Sequence, residues 1–100
     1  MSDWTFLTNH AHVLLCVARD PDVRLRDVAE YVGITERAAQ RIVADLVDAG
    51  YLDRSREGRR NRYQLNPDAP LRHPMDRDHA IGDILDVLTP LRESARGSKI

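Results

Sequence analysis

The sequence predicts a mainly α-helical domain with one small β-hairpin and a further helix near its C-terminal end. Three observations lead there. Apolar residues recur at helical spacing in three successive segments between Asn9 and Ala49, broken by Asp20-Pro21-Asp22 and by Gly33. The stretch from Tyr51 to Leu65 changes to short extended runs on either side of Glu57-Gly58-Arg59. Past a proline-rich connector, Asp76 to Leu88 returns to helical spacing.

Each element has its own signals. Asn9 to Arg19 carries Ala11, Val13, Leu14, Leu15, Val17 and Ala18, a largely buried helix capped by Thr8 or Asn9. Arg24-Leu25 is short enough to be a minimal strand, after which Arg26 to Val32 places Val28, Ala29 and Val32 on one helical face before Gly33 stops it. Thr35 is a natural N-cap for a third helix reaching about Ala49, where Gly50 ends it. A helical wheel puts Ala38, Ile42, Leu46 and Ala49 on one face and Arg37, Gln40, Arg41, Ala44 and Asp48 opposite. Arg62-Tyr63-Gln64-Leu65 alternates as a strand does, and Gly58 between charged neighbours reads as a hairpin tip. Pro67, Pro70 and Pro74 make an irregular connector. In the last helix Ile81, Ile84, Leu85 and Leu88 form a narrow apolar stripe, Thr89-Pro90 argues against continuation, and residues 94–100 are expected to fray.

Composition bounds the function. At 100 residues the chain has the length of one small domain, so a separate catalytic or sensing domain is not expected. Hydrophobic residues at 42% and charged residues at 31% are the composition of a soluble globular chain rather than a disordered one, and no apolar run approaches the roughly 20 residues that span a bilayer. Met1 to Thr5 lacks the basic stretch and apolar core of a secretory signal, so a cytoplasmic location is expected. No nucleophile, base and orienting acid cluster together, and no phosphate-cradling loop appears, so an enzyme is not expected.

The net charge of −1 hides a local excess: residues 53–62 read DRSREGRRNR, where Arg54, Arg56, Arg59, Arg60 and Arg62 face only Asp53 and Glu57. Every basic residue but Lys99 is arginine, whose planar fork suits phosphate and guanine; a GC-rich genome gives the same excess.

Helix, short strand, helix, turn, helix and an arginine-tipped hairpin form the plan of a winged helix-turn-helix. Within it, Leu25, Val28, Ala29, Val32, Gly33, Ile34 and Thr35, followed by Leu46, Gly50, Tyr51 and Leu52, fit the pattern L-x-x-[IV]-A-x-x-[VL]-G-[IVL]-[ST] and then L-x-x-x-G-[LY]-[LIV]. The stretch resembles the DNA-binding core of ArsR-like and MarR-like winged-helix transcriptional regulators over roughly residues 9 to 65. The matched positions themselves are packing residues: Ala29 is small where two helices cross, Gly33 permits the turn and Ile34 plugs the angle.

The resemblance implies that the N-terminal half of the third helix enters the major groove, which makes Thr35, Glu36, Arg37, Ala39, Gln40 and Arg41 candidate contacts. Arg37, Gln40 and Arg41 are the natural base readers, since arginine bonds guanine and glutamine bonds adenine through paired hydrogen bonds. Thr35 suits a cap that meets a phosphate, and Glu36 either accepts from cytosine or complements the helix dipole. In the wing, Arg56, Arg59, Arg60, Asn61 and Arg62 are candidates for the backbone or minor groove, with Arg59 and Arg60 foremost at the tip.

Residues 1–68 are then the DNA-binding domain and residues 69–100 the connector and C-terminal helix. The stripe Ile81, Ile84, Leu85, Leu88 either docks on its own domain or pairs two copies; the resemblance favours a homodimer on an inverted repeat of double-stranded DNA, acting as a repressor. Gly82 beside the stripe suggests that another backbone approaches closely there. No membrane partner, cofactor or metal is expected, and no effector is legible. Cys16 stands alone in an apolar helix, and His10 and His12 face nearly opposite sides of theirs. His73, His79, Asp76 and Asp78 are the one set that admits an intersubunit metal site. Trp4 and Phe6 are expected to cover the edge of the core. The rival class is a winged-helix module that docks a protein instead of reading DNA, against which the exposed arginines weigh, because a docking face more often carries an apolar anchor.

Overall fold

A computed structural model describes residues 4–88. The chain forms α1 (Asn9–Arg19), α2 (Leu25–Val32), α3 (Glu36–Asp48), β1 (Leu52–Glu57), β2 (Arg60–Leu65) and α4 (Ile81–Leu88), with the two strands paired antiparallel. The architecture is mainly helical with a two-stranded hairpin wing and a C-terminal helix, as the sequence predicts. Expectations for residues 1–3 and 89–100 fall outside the described residues.

The helix ends follow from local chemistry. Thr8 accepts a hydrogen bond from the Ala11 N–H at 3.2 Å, and Thr35 accepts one from the Ala38 N–H at 3.0 Å, each satisfying a first-turn amide that the helix itself cannot. Gly33 closes α2 in the left-handed conformation, φ 85, with its N–H on the Ala29 carbonyl. The minimal strand expected at Arg24-Leu25 does not form. The Arg24 carbonyl already accepts from Asp27 and Val28, so Leu25 opens α2, and the nearest thing to a third strand is one hydrogen bond from the Tyr63 N–H to the Pro21 carbonyl, 3.2 Å.

The core gathers Val13, Leu14 and Val17 of α1, Val28 and Ala29 of α2, and Ala39, Ile42, Val43 and Leu46 of α3. The buried stripe of α3 is therefore Ala39-Ile42-Val43-Leu46, turned from the expected Ala38-Ile42-Leu46-Ala49 so that Ala38 is half-buried and Ala49 exposed. A helix packed on two neighbours buries a stripe wide enough for i, i+3, i+4 and i+7, and Val43 is the residue that the narrower wheel leaves out. Tyr51 ties this core to the proline-rich connector: its hydroxyl donates to the Pro70 carbonyl at 2.8 Å, and its own carbonyl accepts the Asn66 N–H at 3.0 Å.

The last helix begins at Ile81 rather than Asp76. Backbone groups that would build the missing turns are engaged elsewhere: Asp76 N–H on the His73 carbonyl, Leu71 N–H on the His79 carbonyl, and a bridge between Pro70 and Ala80. The first-turn amides of α4 are satisfied by the connector, Ile81 on the Ala69 carbonyl at 2.8 Å and Gly82 on the Pro67 carbonyl at 2.9 Å. This docking buries Ile81 and Leu85 in the chain's own core, so those two members of the expected dimer stripe are not available to a second copy, while Ile84 and Leu88 stay half-buried. The close approach at Gly82 is real but belongs to the same chain.

A Cβ on Gly82 would stand 2.8 Å from both the Cβ and the carbonyl oxygen of Pro67. Gly82→Ala should therefore lower the denaturation midpoint, although alanine is the better helix former by about 1 kcal/mol. A chemical-denaturation curve shifted to higher stability would show that α4 does not dock on Pro67.

Candidate nucleic-acid interface

The interface is built on the side of α3 left over by the core. Because Ala39, Ile42, Val43 and Leu46 face inward, Arg37, Gln40, Arg41 and Ala44 fall at i, i+3, i+4 and i+7 on the outward face, and all four are exposed. Neither Arg37 nor Arg41 forms an ion pair among the described residues. Glu36 lies in the first turn, where its charge complements the helix dipole, and Thr35 is the cap with its remaining surface exposed. Ala39 is corrected: at 0% exposure its methyl group fills the helix crossing and reaches no partner outside. Further along, the outward carboxylate of Asp45 lies 2.9 Å from His10 Nε2 and ties the exposed side of α3 to the start of α1.

The wing is a two-residue hairpin, with Glu57 opposite Arg60 and Gly58-Arg59 between. Gly58 takes φ 65 at the first turn position, the arrangement of a type II′ turn, whose twist matches that of the strands. Directly opposed residues share a face, so Leu52 with Leu65 and Arg54 with Tyr63 form one face, and Ser55 with Arg62 and Glu57 with Arg60 the other. Leu52 and Tyr63, both buried, root the first face in the core.

The wing arginines have different partners. Arg60 donates to the Asp22 carbonyl in the α1–α2 loop. Arg62 lies 3.7 Å from the Asp22 carboxylate and 3.9 Å from that of Glu57, with about half of its side chain exposed. Pairs this long and this exposed contribute little and exchange readily for another anion. Arg54, Arg56 and Arg59 form no ion pair among the described residues, and Asn61 is half-buried. Arg59 at the tip is thus the readiest of the expected contacts, while Arg60 also holds the wing to the loop. Arg24 and Arg26 at the head of α2 are exposed as well, and neither was among the contacts expected from the sequence. Their signal was the pair of arginines flanking Leu25, obscured by the strand expected at that point.

Other groups resolve differently. Burial pushes the Cys16 thiol up, against a smaller opposing pull from Arg19, so at neutral pH it is a protonated thiol. His79 Nδ1 lies 3.7 Å from Asp83, and His73 Nδ1 accepts from the Met75 N–H at 3.0 Å. Among the described residues no group of three or more His, Cys, Asp or Glu is placed to hold a metal ion. Trp4 and Phe6 do not cover the core: they stack edge to face on each other, centroids 5.2 Å apart, at 68% and 92% exposure. A mostly apolar groove of about 360 Å3 runs between the start of α1 and α4, with Leu7, Leu14, Ile84 and Leu88 in its lining. No helix among the described residues is long and apolar enough to cross a membrane.

A helix-turn-helix whose second helix presents an arginine and glutamine face, followed by an arginine-tipped wing, defines a winged helix-turn-helix of the DNA-binding class. Comparison with known proteins agrees. The model of the MarR family matches residues 5–62. The chain belongs to the MarR family of transcriptional regulators, a family of DNA-binding proteins and not of enzymes. In fold it is similar to the crystal structure of the zinc-dependent MarR family transcriptional regulator AdcR in the Zn(II)-bound state, with a TM-score of 0.51 and 18% identity. That match covers 99% of this chain and 66% of the AdcR chain, so this chain spans just under two thirds of that regulator's length. No curated protein matches the chain.

Thr35 combines a structural and a candidate binding role, and the two separate by substitution. Thr35→Ala should cost about 1 kcal/mol of stability through the lost cap, and Thr35→Ser should restore it. Thermal melts of the two variants decide this; equal melting of Thr35→Ala and the unsubstituted chain would remove the cap from the account.

Proposed function

We propose that the chain is a sequence-specific DNA-binding repressor that acts in the cytoplasm as a homodimer on an inverted repeat. The observation that carries the reading is the outward stripe Arg37, Gln40 and Arg41 on α3, unpaired and adjacent in helical register, on the same small domain as an arginine-rich wing. The N-terminal half of α3 enters the major groove, where Arg37 and Arg41 bond guanine and Gln40 bonds adenine, while Thr35 and Glu36 lie at the helix start beside the backbone. Arg56, Arg59, Arg60, Asn61 and Arg62 of the wing meet phosphates or the minor groove, with Asp22 and Glu57 giving up Arg62 to the nucleic acid. Repression is the expectation carried over from the family resemblance, no activation surface being recognisable in the sequence.

The dimer contact lies on α4 and the residues just before α1. Ile84 and Leu88 line the apolar groove, and their chain neighbour Val87 is 81% exposed, as Phe6 is at 92% next to Leu7 of the same groove. A second copy covering this end removes that apolar surface from water and gives the two-fold symmetry that an inverted repeat requires. Sedimentation of the chain at micromolar concentration should give a dimer; a monomer at high micromolar concentration would contradict this part.

Binding to the DNA immediately upstream of the coding region, compared with random duplex across a salt series, tests the reading as a whole. Preferential, salt-sensitive binding is expected. Arg41→Ala or Gln40→Ala should cost about 1–3 kcal/mol of discrimination at one position, whereas Arg59→Ala should weaken both duplexes alike and reduce the salt slope by about 0.9. Identical losses on both duplexes for all three variants would end the division between reading helix and wing.

A further inference from the structure

A cleft of about 570 Å3 opens between α1 and α2, lined by no residue of α3 or the wing, and has no role in the function proposed so far. Leu15 of α1, Val32 of α2 and the buried Val23 of the loop between them form its apolar floor. Tyr31 adds an aromatic wall while remaining 79% exposed. Two opposite charges line the same space without meeting. Asp27 is half-buried, yet its carboxylate accepts no hydrogen bond and forms no ion pair among the described residues. Arg19, at the end of α1, is likewise without an ion pair among them. The other carboxylate of the lining, Asp20, is already engaged by the Asp22 N–H at 3.0 Å.

A carboxylate that has given up part of its hydration and gained no partner leaves an interaction to be made, and the Arg19 guanidinium offers a second one over the same apolar floor. A cation alone meets only Asp27, an anion alone only Arg19, and an apolar molecule neither. We infer that the cleft binds a small zwitterion with an apolar body, the chemistry of a free amino acid with a large hydrophobic side chain. Its carboxylate lies on Arg19, whose planar fork takes two parallel hydrogen bonds, its ammonium group on Asp27, and its side chain on Leu15, Val23 and Val32. The volume is within the roughly 300–1,000 Å3 of small-molecule sites. The site needs only α1 and α2, so it stands independently of the DNA-binding reading; because both helices pack on α3, its occupant sits against the scaffold that orients that helix.

The test is a titration of the isotopically labelled full chain, without DNA, followed by amide chemical shifts. Three probes share one apolar body: L-phenylalanine carries both charges, phenethylamine only the amine and hydrocinnamate only the carboxylate. L-phenylalanine should move amides of residues 15–20 and 27–32 and bind about tenfold tighter than either of the others. Arg19→Gln should reduce it to the affinity of phenethylamine, and Asp27→Asn to that of hydrocinnamate. Each comparison is made between probes on one variant, so a small change in stability does not enter it. Equal affinities of the three probes for the unsubstituted chain, shifts that avoid the face between α1 and α2, or no shift at millimolar probe overturns the site and leaves the regulator reading standing.

Discussion

Everything at the interface depends on how closely α3 is held against α1 and α2. Ala39 at 0% exposure and Ala29 at 6% are the small residues that let the helices approach, and Ile42, Val43 and Leu46 complete the contact around them. Once that stripe is fixed inward, the helical period leaves Arg37, Gln40 and Arg41 no orientation but outward. The orientation of this candidate reading face is therefore a consequence of packing and not of any interaction that its own side chains make. The same core holds Leu52 and Tyr63, so the wing is anchored to the body that orients α3.

Electrostatics refines this arrangement without creating it. The chain as a whole carries a net charge of −1, yet its arginines are sorted by the α1–α2 loop. Asp22 uses its carbonyl on Arg60 and its carboxylate on Arg62, and Pro21 accepts the Tyr63 N–H, so one short loop steadies the second wing strand along three residues. Arg54, Arg56 and Arg59, with Arg24 at the head of α2, are left to face solvent. A weak exposed ion pair such as Arg62 with Asp22 stabilises the free protein little, and its loss to a phosphate costs correspondingly little.

What the sequence revealed depended on how local the controlling interactions were. The bounds of α1, the cap at Thr35 and the glycine end of α2 are set within a few residues and were legible, while the cap of α1 was narrowed to Thr8 or Asn9 and proves to be Thr8. The hairpin was legible too, because Gly58 supplies the turn and the strands lie on either side of it. Long-range pairing decided the rest. The start of α4 moved from Asp76 to Ile81 because carbonyls of Pro67 and Ala69 take its first amides, and no periodicity encodes that. The stripe Ile81, Leu85 gave no sign of which surface it meets, and Gly82 announced a close backbone without saying whose. Ala39 looked like a small residue on a reading helix, whereas the width of the buried face made it core. Arg24 was hidden by the strand expected at its position.

The central claim is that DNA lies across the outward face of α3 and the wing, and chemical-shift mapping of the isotopically labelled chain with duplex DNA tests it most directly. The account predicts that the largest amide shifts fall within residues 35–41, at the wing turn around Gly58 and Arg59, and at the head of α2, with the groove between α1 and α4 unmoved. Shifts concentrated on Trp4, Phe6 and α4, with α3 silent, would contradict it.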